Sequence, residues 1–236
     1  MKRLKLTIRS VAGAALFGIV LGGSVAIAAD GEQLLTSQCA GCHNLTGPAP
    51  ATLQALRDRK GPDLFYAGNK YKAAWVEQWL QKPQSIRPAG MFYGAHIKPG
   101  PKGDEIDAAT LTQHPALKAD EAQAVTAALM QRKAGSELIA PGAYTPGTIS
   151  LSTGEMMFDK FRGCLACHEI EPGYGGRSGP EVYTAGARLQ EDYLISYLRS
   201  PQAWDPKTFM PNKHLSGADL QKFVHYMRLL SEEGQP

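Results

Sequence analysis

Apolar side chains recur at four-residue spacing in two separated stretches of the chain. After Gly68 come Tyr71, Trp75, Trp79 and Leu80, closed by Pro83; after Gly186 come Leu189, Tyr193, Tyr197 and Leu198, closed by Pro201. That spacing puts the rings on one face of a helix, and a proline stops the helix, so each stretch predicts one amphipathic helix. Every matching pair lies 118 positions apart. The same offset links Gly61-Pro62-Asp63-Leu64 to Gly179-Pro180-Glu181-Val182, and Pro88 to Pro206. The pattern is that of a duplicated sequence.

Further helical patterns flank both copies. Asp30-Gly31-Glu32 opens a short helix carrying Leu34 and Leu35, and Gly154-Glu155 precedes Met156, Met157, Phe158 and Phe161. Residues 119–130 and 216–230 are amphipathic, each with an acid in the first turn, where it complements the helix dipole. Between the copies, residues 139–150 are rich in Pro and Gly and read as a linker. No strand alternation of useful length is present. The expected fold class is all-α, two tandem domains of short helices and long loops.

The amino terminus reads differently from the rest. Lys2, Arg3, Lys5 and Arg9 form a basic head, Val11 to Ile27 an apolar run, and Ala26-Ile27-Ala28 a small-x-small cleavage pattern. Residues 1–28 are therefore expected to be a signal peptide for export, most simply to a bacterial periplasm. The alternative is an uncleaved membrane anchor, for which the run is nearly long enough. Four of the 25 Lys and Arg lie in this leader; removing it leaves 21 against 22 Asp and Glu, a formal net charge of −1. The basic balance belongs to the leader, and nothing points to a nucleic-acid partner. The remainder divides into a first domain at 29–138, a linker at 139–149 and a second domain at 150–236.

All four cysteines fall in two copies of one pattern, Cys39-Ala-Gly-Cys42-His43 and Cys164-Leu-Ala-Cys167-His168. Disulfides are common in exported proteins, but two intervening residues make a short loop and neither half has a spare partner. A shared four-thiolate zinc site normally brings its pairs within about 15–20 residues. A thioredoxin-like pair wants a βαβ setting, which is missing. The histidine after the second thiol fits none of these well; it fits covalent attachment of c-type haem, where two thioethers tether one porphyrin and the histidine reaches the iron.

With these motifs in this order, the chain resembles the dihaem class I c-type cytochromes, two fused cytochrome c domains, over essentially its whole length after the leader. The resemblance implies two covalently bound haems and domains closed by crossing terminal helices. It also implies that the carbonyls of Pro62 and Pro180 accept hydrogen bonds from His43 and His168, which fixes their tautomer. "TFMPNKHLS" looks like the family's distal loop and makes Met210 the sixth ligand of the second iron. Met156 and Met157 read as core, and His214 and His225 as surface or structural residues. In the first half Met91 is the nearest match, since Pro83, Pro88 and Met91 follow Pro201, Pro206 and Met210 with one residue of slip. No proline follows Met91, however, and His96 and His114 stand in the same segment, "HPAL" imitating "MPNK". Met130 reads as packed.

Residues 92–114 have no counterpart in the second half; they suit a docking surface, a cover for the first haem or an idle loop. Iron ligated on both faces leaves no place for substrate, so the expected chemistry is electron transfer between redox proteins. A difference of about 59 mV between the haems would bias a single electron tenfold. A soluble periplasmic carrier between a membrane donor and a terminal oxidase or reductase is the leading expectation. A cytochrome subunit of a dehydrogenase complex, similar to the dihaem partner of flavocytochrome sulfide dehydrogenases, is the second. A haem enzyme such as a dihaem peroxidase or thiosulfate dehydrogenase is the third; those peroxidases are longer chains, and a cysteine-ligated catalytic haem needs a thiol this sequence lacks.

Overall fold

The computed structural model describes residues 30–233; the expected signal peptide lies outside the described residues. Asp30 caps the first helix, its carboxylate accepting from the Glu32 and Gln33 amides. The first half then runs α1 (Gly31–Leu34), a π-type turn (Leu35–Cys39), α2 (Leu53–Arg57), α3 (Ala67–Lys70), α4 (Ala73–Gln81) and α5 (Ala119–Met130). The second runs α6 (Leu151–Met156), another π-type turn (Met157–Phe161), α7 (Ala185–Arg188), α8 (Glu191–Arg199), α9 (Pro201–Trp204) and α10 (Gly217–Glu233). Among the described residues no helix is long and apolar enough to cross a membrane.

In each half the entry helix crosses the closing helix at a glycine. A Cβ on Gly31 would enter the Ala124 carbonyl of α5, and one on Gly154 would enter the Tyr226 ring of α10. Tyr226 is buried and has nowhere to retreat. Gly154→Ala is therefore expected to lower unfolding stability by about 1–3 kcal/mol, an overpacking penalty, read as a shift in denaturant midpoint. Around these crossings lie two cores. Leu35, Leu64, Val76, Leu80, Val125 and Leu129 build the first. Phe158, Val182, Ile195, Leu198, Phe223 and Val224 belong to the second.

The two striped helices form, but each begins later than its stripe. Tyr71 and Leu189 are extended, with φ/ψ of −102°/151° and −111°/146°, and they bridge one another across the halves. The Lys72 amide donates to the Arg188 carbonyl at 3.0 Å, and the Gln190 amide to the Lys70 carbonyl at 2.9 Å. These are matching positions of the repeat, so the copies join through a local pseudo-two-fold. Tyr66, Tyr193 and Trp204 form a small aromatic core beside that joint.

Two short antiparallel hairpins depart from the all-α expectation. One pairs β1 (Ile97–Gly100) with β2 (Gly103–Ile106) inside the unmatched segment. The other pairs β3 (Glu169–Glu171) with β4 (Tyr174–Gly175) directly after the second cysteine motif. Their strands are too short for an alternating pattern; Pro and Gly turns define them. The linker also differs from a free tether. Asp192 accepts from the Gly142 and Tyr144 amides at 2.7 and 2.8 Å, and Ile149 packs on the second core.

Candidate functional site

Both cysteine motifs are folded into the same turn. The first follows the π-type turn that ends at Cys39, and the amides of Cys42 and His43 donate to the Cys39 carbonyl at 3.0 and 2.9 Å. In the second, the Cys167 and His168 amides donate to the Cys164 carbonyl, each at 3.1 Å. All four thiols are free, Cys42 and Cys167 exposed, Cys39 and Cys164 half-buried. No disulfide forms within either motif. Burial pushes the Cys39 and Cys164 thiols above their ordinary pKa. For these two thiols that is the direction opposite to the one that activates a nucleophilic cysteine.

The histidines are held from behind. His43 Nδ1 lies 2.8 Å from the Pro62 carbonyl oxygen, and His168 Nδ1 lies 2.6 Å from that of Pro180. A carbonyl only accepts, so the proton sits on Nδ1 and the Nε2 lone pair is left for a metal. Burial holds both rings below the usual histidine pKa, against the pull of those carbonyls, which favours the neutral, ligating form. The preceding glycines permit the approach. A Cβ on Gly61 would come within 2.6 Å of His43 Cε1, and one on Gly179 within 2.7 Å of His168 Cε1.

Each half therefore offers two unpaired thiols and one neutral, oriented imidazole, groups that fit covalent attachment of a haem: sulfurs to tether it and a nitrogen for its iron. Among the described residues no three His, Cys, Asp or Glu gather into a metal-binding group, so the two motifs do not combine into one four-thiolate site.

The distal candidates fall unequally. Met210 is half-buried and packs on the same core as Cys164 and Leu165. Its loop is pinned: the Met210 amide donates to Thr208 Oγ1 at 3.3 Å, and Gln202 Nε2 donates to the Met210 carbonyl at 2.8 Å. In the first half, Met91 is half-buried in a bend, and its neighbour Phe92 faces Phe209 of the second half at 5.9 Å. His96 Nδ1 bonds Thr110 Oγ1 at 2.9 Å inside the unmatched segment. The ring that meets His43 is His114, with centroids 6.2 Å apart. Met157 and Met130 pack as expected, whereas Met156 is exposed. His214 is exposed, and His225 Nε2 bonds the Thr145 carbonyl.

A group of cations at the joint between the halves escaped sequence reasoning. Lys70 lies over the rings of Tyr66, Tyr71 and Tyr193 at 5.0–5.9 Å. The charge of Arg87 adds to the burial that lowers the His168 pKa. Burial pushes the pKa of both cations down, and among the described residues neither meets a carboxylate within 4.0 Å. The repeat held the signal, since Lys70 matches Arg188 and Arg87 matches Asp205 at the common offset. Comparison with family models, curated proteins and solved structures returned no match.

Proposed function

We propose that each half holds one covalently attached haem and that the chain is a dihaem c-type cytochrome transferring single electrons between redox proteins in an exported compartment. The observation that carries this reading is the repeated site. Twice, two free thiols and a histidine share one turn, with Nδ1 on a proline carbonyl and Nε2 unengaged. Cys39, Cys42 and His43 would hold the first haem; Cys164, Cys167 and His168 would hold the second. A bound haem supplies a one-electron couple, whose potential rises with a thioether axial ligand. The chain's own part is to fix the imidazole tautomer, shield the site and present Met210 beside the second motif. Lys70 and Arg87 are cations left to answer the carboxylates such a group carries.

A permanent subunit of a dehydrogenase complex is the second reading, favoured by Phe209, 68% exposed and tilted against Phe92 beside the Met210 loop. Both readings share one test. The purified holoprotein should take up two electrons per chain in one-electron steps, and carbon monoxide should leave the spectrum of the reduced protein unchanged. A carbon monoxide adduct at either iron would mean an open coordination site and would turn the reading toward an enzyme.

A further inference from the structure

We propose that His114 is the sixth ligand of the first iron, so that the first half carries a bis-imidazole site and the second an imidazole–thioether site. This rests on the dihaem reading above and assigns the one ligand that the sequence left open.

Four observations converge on His114. A metal–imidazole bond is about 2 Å long and the nitrogen lies about 1 Å from the ring centre, so two imidazoles on opposite sides of one ion hold their centres about 6 Å apart. The His43 and His114 centroids are 6.2 Å apart. Second, His114 Nδ1 lies 2.8 Å from the Pro115 carbonyl oxygen, which places its proton there and leaves Nε2 free, as in His43 and His168. His225 spends Nε2 on the Thr145 carbonyl, and a Cβ on Gly90 would lie 2.8 Å from His96 Nε2, so that edge is walled by backbone.

Third, the repeat supports the same position from its other half. Trp79 packs edge-on against His114 at 4.7 Å. Its counterpart Tyr197 is 3.4 Å from Thr208, whose hydroxyl accepts from the Met210 amide. Matching aromatic residues thus brace the His114 segment in one half and the Met210 loop in the other. Fourth, a backbone bond from the Leu117 amide to the Leu80 carbonyl at 2.9 Å ties that segment to α4. His114-Pro115 and Met210-Pro211 each enter the closing helix of their half. The segment of Met91, by contrast, turns Phe92 toward Phe209 and lets Arg57 lie over the Phe92 ring at 5.5 Å.

Unlike ligand sets give the two irons unlike potentials, the thioether-ligated second haem being the higher. Internal flow would then run from the first half to the second. The decisive experiment counts methionine–iron bonds in the oxidised holoprotein through the near-infrared charge-transfer absorption that a thioether ligand gives and an imidazole does not. One such signal per two haems is expected in the unaltered protein, retained in Met91→Ala and lost in Met210→Ala. With both haems still attached by mass, His114→Ala should let the reduced protein bind one carbon monoxide per chain. His114→Met should raise the lower midpoint potential and leave the upper one in place.

Two thioether signals in the unaltered protein, or loss of one in Met91→Ala, would overturn the assignment and return the first iron to Met91. The count in the unaltered protein decides the matter even if His114→Ala fails to fold. Failure of the underlying reading looks different: denatured protein carrying no haem removes the site itself, ligands included.

Discussion

Cys164→Ser combined with Cys167→Ser is expected to halve the haem absorbance of the purified protein and to lower its denatured mass by one haem. The second-half core closes around the motif: Cys164, Leu165 and Met210 pack on the cluster that contains Phe158, Ile195 and Phe223. A domain of this size buries a limited share of its surface, so an apolar cofactor fixed at its centre would be a substantial part of the core. Proteolysis and loss of helical signal should accordingly appear in the second half, while the first keeps its haem. Serine is close in shape to cysteine and leaves His168 and the Pro180 carbonyl in place, so the variant tests tethering and little else. Unchanged absorbance and mass would show that these sulfurs do not hold the cofactor.

The second large effect belongs to Arg59. Its guanidinium spans the halves, meeting Asp63 at 3.0 Å and Asp205 at 3.1 Å, and the Asp63 side chain is 1% exposed. Arg59→Ala would leave Asp63 buried without its cation, a change that costs about 3–5 kcal/mol. Burial already raises the Asp63 pKa above 3.8, and Arg59 pulls it down. Removing the arginine lets the pKa climb further, and only the ionised carboxylate is penalised. The loss should therefore be complete at neutral pH and shrink as pH falls through the raised folded-state pKa. Asp63→Asn and Asp205→Asn in the Arg59→Ala background should recover much of it in denaturant titrations. The position matters to the site as well, because Asp63 directly follows the proline whose carbonyl orients His43.

Much of this architecture could be read from residue order. The offset of 118 paired the copies, and the prolines marked where α4 and α8 stop. Gly61-Pro62 and Gly179-Pro180 stand at the two histidines, where sequence and resemblance led one to look. What periodicity missed has physical reasons. Tyr71 and Leu189 carry the right spacing for helix, yet each is extended because it pairs with the other copy, a tertiary contact that no local window contains. The hairpin at 97–106 has mostly exposed strands, so no alternation announces it. Lys70 and Arg87 look like ordinary surface cations until the halves join over them.

His114 shows the limit most plainly. Counting from the prolines favours Met91; the closing helix and the ring packing favour His114, and only a folded chain says which distance matters. The linker is a similar case, since its Pro and Gly content hid the bonds that Asp192, Gln221 and Ser196 make to its backbone and to the carbonyl of Leu138 beside it.

The central claim is that both cysteine motifs bind haem through their sulfurs. Intact mass under denaturing conditions, on protein exported by a host competent to attach haem, tests it directly. The expected result is a chain heavier than its polypeptide by two haems, with the added mass confined to the peptides containing Cys39–Cys42 and Cys164–Cys167. A colourless chain at the bare polypeptide mass would contradict it.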